Sequence, residues 1–199
     1  MREESSKRIK NVIELLTNAG VCHQVFHSHC TGTPLYAAIN PNAYKLLFMD
    51  IGIANNICGN DWIFLESTDD RNLVNEGGLA EQFIGQHLMN PYEAPRLTYW
   101  LREARSANAE VDYVISQGNL IIPVEVKAGK SGSLKSLQQF VFYKKTETAV
   151  RFDLDPPSVQ NVKHIIRTRD GNRPVDYIAI ISICFPLQIF RLSLMGLSA

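Results

Sequence analysis

The 199-residue sequence predicts a mixed α/β (α+β) fold, in which a helix, three antiparallel strands, a second helix and a further strand follow one another. Two patterns support this prediction. Apolar residues recur at helical spacing over residues 75–90 and 133–145. Runs rich in β-branched and aromatic residues, typical of strands, occupy residues 97–102, 110–117 and 120–128. The alternation of the two patterns along the chain sets the order of the elements.

Ahead of this core, the chain begins with an amphipathic helix. Ser5 or Ser6 can cap its start, its apolar residues follow helical spacing, and Gly20 supplies a left-handed terminus. A strand is predicted next, at residues 21–29. Both elements would belong to a unit that precedes the core.

Residues 31–60 are rich in turn signals. Gly, Pro-Asn and Gly-Asn surround an apolar segment at residues 43–53. We therefore expect short helices and turns that wrap against the neighbouring domain. On this basis residues 1–72 are interpreted as an accessory unit of winged-helix-like character, and residues 73–199 as the main domain.

The helix that opens the main domain carries an acidic residue beside its apolar face. Glu81 lies at the border of that face, and Asn90-Pro91 ends the helix because proline cannot continue it. After the second helix, strands are predicted at residues 149–154 and 175–184. Glu81 therefore lies on the helix that directly precedes the predicted central strands.

The composition argues against a membrane-spanning or disulfide-stabilised protein. The longest apolar run, residues 177–185, ends at Pro186 and is far shorter than the roughly 20 residues of a membrane span. The N-terminal helix is charged, unlike a signal peptide, and the four cysteines show no CxxC spacing. We expect a soluble cytoplasmic protein with reduced thiols and no membrane partner.

The net charge of zero conceals an uneven distribution. Residues 1–94 contain 6 Lys and Arg against 11 Asp and Glu, whereas residues 95–199 contain 14 against 9. The half that carries the central strands is thus the basic half. A polyanion such as DNA would bind there.

The central strands form a predicted hairpin. Gly118-Asn119 between two β-branched runs is a hairpin signal, and a two-residue loop pairs Gln117 with Leu120. In that register one sheet face is wholly apolar. Its cross-strand pairs are Val111 with Val126, Tyr113 with Val124 and Ile115 with Ile122.

The opposite face of the hairpin collects the charged residues. In the same register Asp112 lies against Glu125, and Glu110 lies against Lys127. Side chains in such pairs have Cβ atoms about 4.5–5.5 Å apart, so the two carboxylates would repel each other unless a cation joins them. Two carboxylates, water and a backbone carbonyl form the oxygen-only set that Mg²⁺ or Mn²⁺ prefers.

This charged set suits metal-assisted hydrolysis of a phosphodiester. Lys127 can contact a phosphate oxygen and stabilise the charge that develops in the transition state. Glu110 has a simpler interpretation, since an ion pair with Lys127 would hold that lysine in place.

These residues resemble the motif of the PD-(D/E)xK nuclease superfamily, whose restriction-endonuclease-like core runs helix, three antiparallel strands, helix, strand. Asp112 matches the first aspartate of that motif, and Glu125-Val126-Lys127 match its E-x-K. Glu81 matches a helical glutamate found in many members. The resemblance implies a DNA nuclease dependent on Mg²⁺ or Mn²⁺. Its metal ligands would be Asp112, Glu125 and the Val126 carbonyl, with Glu81 as a third acidic ligand or water positioner and Lys127 as transition-state stabiliser.

Longer phrases resemble a more specific group. LVNEGGLAEQFIGQHL, YWLREARSANAEVDYVI and PVEVKAGKSGSLKSLQQF are similar to the uncharacterised domain found C-terminal to AAA-type P-loop ATPases in bacteria and archaea. The resemblance implies a P-loop ATPase partner, or an ATPase half that is missing here. AGKSGS resembles the end of a Walker A loop, but Val124 lies where that loop needs its first glycine.

Other polar residues are candidates for supporting roles. Gln138 matches a helical glutamine that can face the site in related nucleases, although a polar residue bordering the core fits equally well. Four basic residues flank the proposed cleft in sequence and are candidates for phosphate contacts, while each alone also fits ordinary solvated charge. They are Arg102, Arg105, Lys130 and Lys135.

Two alternatives remain open at this point. The segment CHQVFHSHC has a zinc-like composition, but in an extended strand only His27 and His29 could share one ion. For the whole chain, the rival to a nuclease is a non-catalytic module. Such a module would use the same fold to bind nucleic acid, a partner ATPase, or a second copy of itself in a homodimer.

Overall fold

A computed structural model describes most of the chain. The described residues are 2–57, 76–89, 97–102, 108–127, 134–153, 155–168 and 171–182. The helices among them are α1 (Arg2–Asn18), α2 (Ile51–Ile57), α3 (Glu76–Leu88) and α4 (Lys135–Lys144), and a short 3-10 helix spans Leu35–Ala38. None of these helices is long and apolar enough to cross a membrane.

Eight strands occupy the rest of the regular structure in this part of the chain. They are β1 (Cys22–Ser28), β2 (Ile39–Phe48), β3 (Thr98–Arg102), β4 (Ala109–Gln117), β5 (Leu120–Val126), β6 (Thr148–Phe152), β7 (Ser158–Thr168) and β8 (Gly171–Ser182). All join one sheet in the order β2-β1-β3-β4-β5-β6-β8-β7. Strands β3, β4 and β5 are antiparallel neighbours, and β6 lies parallel to β5. The predicted mixed α/β fold and the order of α3, β3–β5, α4 and β6 are confirmed.

The N-terminal strands extend the same sheet. Strand β1 runs parallel to β3 and antiparallel to β2. The expectation of only short helices and turns over residues 31–60 is therefore wrong for β2, whose partly buried residues pair along β1. The predicted domain boundary at residue 72 lies outside the described residues and stays a prediction, although strands on both of its sides share one sheet.

Helix α1 begins at Arg2, ahead of the predicted caps at Ser5 and Ser6. Gly20, two residues after its end, has a φ of +70°, as expected for a left-handed terminus. Strand β1 follows within the predicted range. Gly20 therefore correctly predicted where the helix ends.

Strand β8 begins at Gly171, ahead of the strand predicted from residue 175, and pairs with a further strand, β7. Strand β7 was not predicted, because it lies at the sheet edge and most of its side chains are exposed, which leaves no clear apolar alternation. Pro174 lies within β8, opposite Ile165. Its missing N–H is tolerated because β6 pairs with β8 only along residues 178–182.

Two hydrophobic clusters cover the two faces of the sheet. On one face Ile84 of α3 packs with residues that include Tyr113, Val124 and Ile180. On the other face α4 packs against the sheet, and that cluster contains Trp100, Val111, Leu137 and Phe140 among others. The core therefore has a helix on each side of the central strands.

The predicted apolar face of the hairpin is wrong at Val111, because β4 contains a β-bulge. Thr98 pairs with Val114 and Trp100 with Val111, so two residues of β4 oppose the single residue Tyr99. Those two residues are Asp112 and Tyr113. The extra residue moves Val111 into the α4-side cluster, whereas it was predicted to share a face with Tyr113 and Ile115.

Candidate functional site

The hairpin that carries the motif residues has the predicted register. Gln117 pairs with Leu120 and Tyr113 with Val124, and Gly118 in the turn has a φ of +57°. This backbone pairing ends just before Asp112 and Glu125, where the bulge begins. The two acids therefore lie where β4 and β5 separate, and a side chain can enter between the two backbones.

Asp112 occupies this gap between the strands. Its Oδ2 accepts a hydrogen bond from the backbone N–H of Val126 at 2.8 Å. Burial, followed by the negative charges of Glu125 and Glu81, raises the pKa of Asp112 to about 7. The carboxyl thus binds a proton more readily than an exposed aspartate does, because burial and the two neighbouring acids disfavour its charged form.

Glu125 is the most deeply buried acid of the site, with 3% of its surface exposed. Its Oε1 lies 2.5 Å from Nζ of Lys127. Its Oε2 is buried and has no hydrogen-bond partner within the described part of the chain. Burial raises the pKa of Glu125, although Lys127 opposes that shift. Oε1 is thus paired with a lysine, whereas the buried Oε2 lacks a partner among the described residues.

Glu81 and Glu110 share a lysine that the sequence analysis did not single out. Nζ of Lys45, on β2, lies 2.8 Å from Oε1 of Glu81 and 2.5 Å from Oε1 of Glu110. Burial lowers the pKa of Lys45, but the two ion pairs outweigh burial, so its pKa is raised overall. Lys45 therefore stays charged at the centre of an acidic cluster.

The predicted ion pair of Glu110 with Lys127 is wrong. Glu110 instead binds Lys45, and Lys127, which directly follows β5, binds Glu125 two residues earlier. The register alone suggested the first pairing, because it ignored the bulge and the approach of β2. A signal for Lys45 was available, since it is a single charge among Tyr44, Leu46 and Leu47 in an apolar run.

Glu81 is held in place by the strand beneath it. The hydroxyl of Tyr113 donates to the backbone carbonyl of Glu81 at 2.9 Å. Gly85, one turn further along α3, allows this close approach, because a Cβ there would collide with the Tyr113 hydroxyl and with Leu47. The bulge residue Tyr113 thus positions the helix that carries Glu81.

The carboxyls do not form a complete three-acid metal site. Glu81, Asp112 and Glu125 interact electrostatically, yet no group of three or more His, Cys, Asp or Glu residues in the described ranges is arranged to hold a metal ion. Asp112 contacts the backbone of Val126 through its side chain, and Glu125 directly precedes Val126 in the chain. Any ion bound here would need oxygen donors beyond the carboxylates.

Strand β6 places a further charged pair beside Glu125. Arg151 is the register neighbour of Glu125, and its Nε lies 2.6 Å from Oδ2 of Asp153. The Asp153 side chain is fully buried. This ion pair lies at the same end of the sheet as Glu125. Its position follows from the parallel pairing of β5 with β6 and could not be inferred from the sequence.

The remaining predicted residues have mixed outcomes. Gln138 is buried on α4. Arg102 donates to Oε1 of Gln139 at 3.0 Å and packs over the ring of Tyr143, with its guanidinium carbon 4.3 Å from the ring centroid. Lys135 is the first residue of α4. Two further basic candidates, Arg105 and Lys130, lie outside the described residues.

The histidine-rich segment shows structural contacts. The rings of His27 and His29 lie 4.9 Å apart, and the N–H of Leu101 donates to Nδ1 of His27 at 3.2 Å. Cys30 is buried nearby, and its thiol contacts the carbonyl of Ser28. Since the described residues contain no metal-holding group of three such side chains, these contacts favour packing rather than zinc.

The fold and site define an α/β domain with a partly buried acidic cluster, paired with two lysines, where two strands separate. Residues 76–184 match the family model described as "Domain of unknown function (DUF4143)", and the chain belongs to this family. The family is known as a domain associated with AAA-type ATPases. No curated protein and no solved structure matches the chain.

Proposed function

We propose that the chain is a metal-dependent nuclease that hydrolyses phosphodiester bonds of DNA. The observation that carries this proposal is the buried Oε2 of Glu125, which has no hydrogen-bond partner among the described residues. A buried carboxyl oxygen without a hydrogen-bond partner is costly in free energy. A divalent cation would supply the missing partner.

The residues around Glu125 fit Mg²⁺ or Mn²⁺. Asp112, Glu125 and the backbone carbonyl of Val126 would hold the ion through oxygen atoms. Glu81 would act through water, because it is paired with Lys45 and belongs to no three-acid group in the described structure. When bound, the ion would lower the pKa of an attacking water and neutralise phosphate charge.

The protein's own basic side chains would contact the phosphates of the DNA. Lys127 lies beside Glu125, so its ammonium would contact a phosphate oxygen and stabilise the transition state. The candidates for contacts to neighbouring phosphates remain Arg102, Arg105, Lys130 and Lys135. Arg102 is preorganised for such a contact by its packing on Tyr143.

The arrangement of the elements also supports a restriction-endonuclease-like core. A helix with a glutamate precedes three antiparallel strands, and a second helix leads to a strand parallel to β5. The E-x-K residues lie at the end of β5, and the motif aspartate lies in the bulge of β4. This is the order that the superfamily resemblance implies.

A second candidate is a non-catalytic module that works with an AAA-type ATPase. Each glutamate of the site already has a lysine partner, Lys45 for Glu81 and Glu110 and Lys127 for Glu125, so these side chains are paired without a metal. The family's association with such ATPases favours this candidate as well. Its ligand would be nucleic acid, the ATPase or a second copy of the chain.

Plasmid DNA incubated with the purified protein and Mg²⁺ or Mn²⁺ tests the choice. We expect cleavage that falls by at least about 100-fold in Asp112→Ala and in Lys127→Ala, since each removes transition-state stabilisation. Lys163→Met is the matched control, because Lys163 is an exposed lysine paired with Asp176 far along the sheet. Intact DNA with every metal, and equal DNA binding by all variants, would favour the module.

A further inference from the structure

Lys45 joins the acidic site from outside the residues that match the family. It lies on β2, where its backbone pairs with Val25 of β1. Its ammonium reaches Glu81 on α3 and Glu110 on β4. One cation thus connects three elements that are distant in sequence.

The surroundings hold this ammonium in a defined position. Its side chain is only 24% exposed. Nζ lies 4.9 Å from the centroid of the Tyr99 ring, within the range of a cation–π interaction. Tyr99 is also the residue that faces the β4 bulge. Lys45 is therefore fixed next to the strand segment that carries Asp112.

The excess of carboxyl over ammonium groups in the cluster gives Lys45 a specific role. Four carboxyl groups (Glu81, Glu110, Asp112 and Glu125) lie near two ammonium groups, and Lys127 pairs with Glu125 alone in the described structure. Partly buried like charges repel strongly because the local dielectric constant is low. Lys45 supplies Glu81 and Glu110 with the positive charge that a divalent cation would otherwise provide.

We propose that Lys45 is the internal counter-ion of the acidic site. In the metal-free protein it holds Glu81 and Glu110 together, and it lowers the affinity of the site for a divalent cation. The second statement rests on the proposed metal site, whereas the first concerns the metal-free protein alone. Lys45 is a positioning residue in this scheme, since it acts through the acids.

A double-mutant cycle in EDTA at pH 8 tests the first statement. Lys45→Met should lower the urea midpoint of unfolding, because it leaves the partly buried Glu81 and the more exposed Glu110 without their cation. Adding Glu81→Gln should restore part of the loss, so the two substitutions are coupled. Independent, additive effects would overturn the counter-ion role. Lys45→Gln serves as a second neutral variant if Lys45→Met does not fold.

Calorimetric titration with Mn²⁺ tests the second statement. We expect the neutral variants to bind Mn²⁺ about tenfold more tightly than the wild type, because a competing charge is gone. Lys45→Arg keeps the charge, and Lys163→Met removes a remote one, so both should bind like the wild type. Equal or weaker binding by the neutral variants would overturn the competition. If no variant binds Mn²⁺, the metal site and the competition both fail, while the coupling of Lys45 with Glu81 still decides the counter-ion role.

Discussion

The backbone N–H of Val126 donates to Oδ2 of Asp112 at 2.8 Å, where a β-sheet would normally use a backbone carbonyl. The bulge in β4 makes this substitution possible, because Asp112 and Tyr113 together face Tyr99. The side chain of Asp112 thereby closes the end of the β4–β5 pairing. The same contact fixes the position of the motif aspartate relative to the E-x-K residues.

Asp112→Asn should stabilise the metal-free protein more at pH 8 than at pH 5. Burial and then the charges of Glu125 and Glu81 raise the pKa of Asp112 to about 7, against about 3.9 for an unfolded aspartate. The stability that its proton provides is complete below the unfolded pKa and is lost as the pH rises through 7. Urea unfolding in EDTA should give a gap between variant and wild type that is about 2–3 kcal/mol larger at pH 8. A gap independent of pH would contradict this account.

Asp112→Ala should behave differently from Asp112→Asn. Asparagine keeps an oxygen that can accept the Val126 N–H, whereas alanine leaves that donor without its partner. We expect the alanine variant to be about 1–3 kcal/mol less stable than the asparagine variant. Hydrogen exchange at the Val126 amide should be faster in the alanine variant alone. Equal exchange in both variants would show that the hydrogen bond matters little.

Gly85→Ala should destabilise the protein by about 1–3 kcal/mol in urea unfolding. An added Cβ would overlap the hydroxyl of Tyr113 and would lie 2.6 Å from Cδ1 of Leu47. The variant should also disturb the bond from Tyr113 to Glu81. Gly78→Ala on the same helix is the control, since its Cβ would meet no atom within 4 Å. That control should gain about 0.5–1 kcal/mol from helix propensity.

Gln82→Ala should weaken the packing of β2 against α3, which the Lys45–Glu81 ion pair also joins. The Gln82 side chain donates to the Leu46 carbonyl at 3.0 Å and accepts the Phe48 N–H at 2.9 Å. Losing both bonds should lower stability by about 1–3 kcal/mol and speed hydrogen exchange at Phe48. Gln160→Ala provides the comparison, because the side chain of that exposed glutamine donates to Oγ of Ser158 on its own strand at 3.1 Å. Similar effects of the two substitutions would argue against the link.

Cys30 should react slowly with iodoacetamide in the folded protein. Burial raises the pKa of its thiol to about 11, so little thiolate is present at pH 8. Denaturation in urea should remove both the burial and the shift. Mass spectrometry of alkylated peptides over time should therefore show fast labelling only after unfolding. Rapid labelling of the native protein would indicate that this segment opens readily.

Sequence patterns determined the local features of this protein. Gly118-Asn119 and the β-branched runs around it were enough to predict the pairing of Gln117 with Leu120, because a two-residue turn fixes the register of its hairpin. Helical spacing likewise identified α3 and α4. These predictions succeeded because hydrogen bonds and side-chain periodicity along one segment depend on near neighbours.

The tertiary structure determined which charged side chains form ion pairs. The bulge at Asp112 arises from the pairing of β4 with β3, and it separates Val111 from the face of Tyr113. Lys45 reaches Glu110 only because β1 and β2 join the central sheet. Neither event leaves a periodic signal in the chain, since each depends on contacts between segments far apart in sequence. The sequence thus determined the acids and their strands, and long-range packing determined the cations that neutralise them.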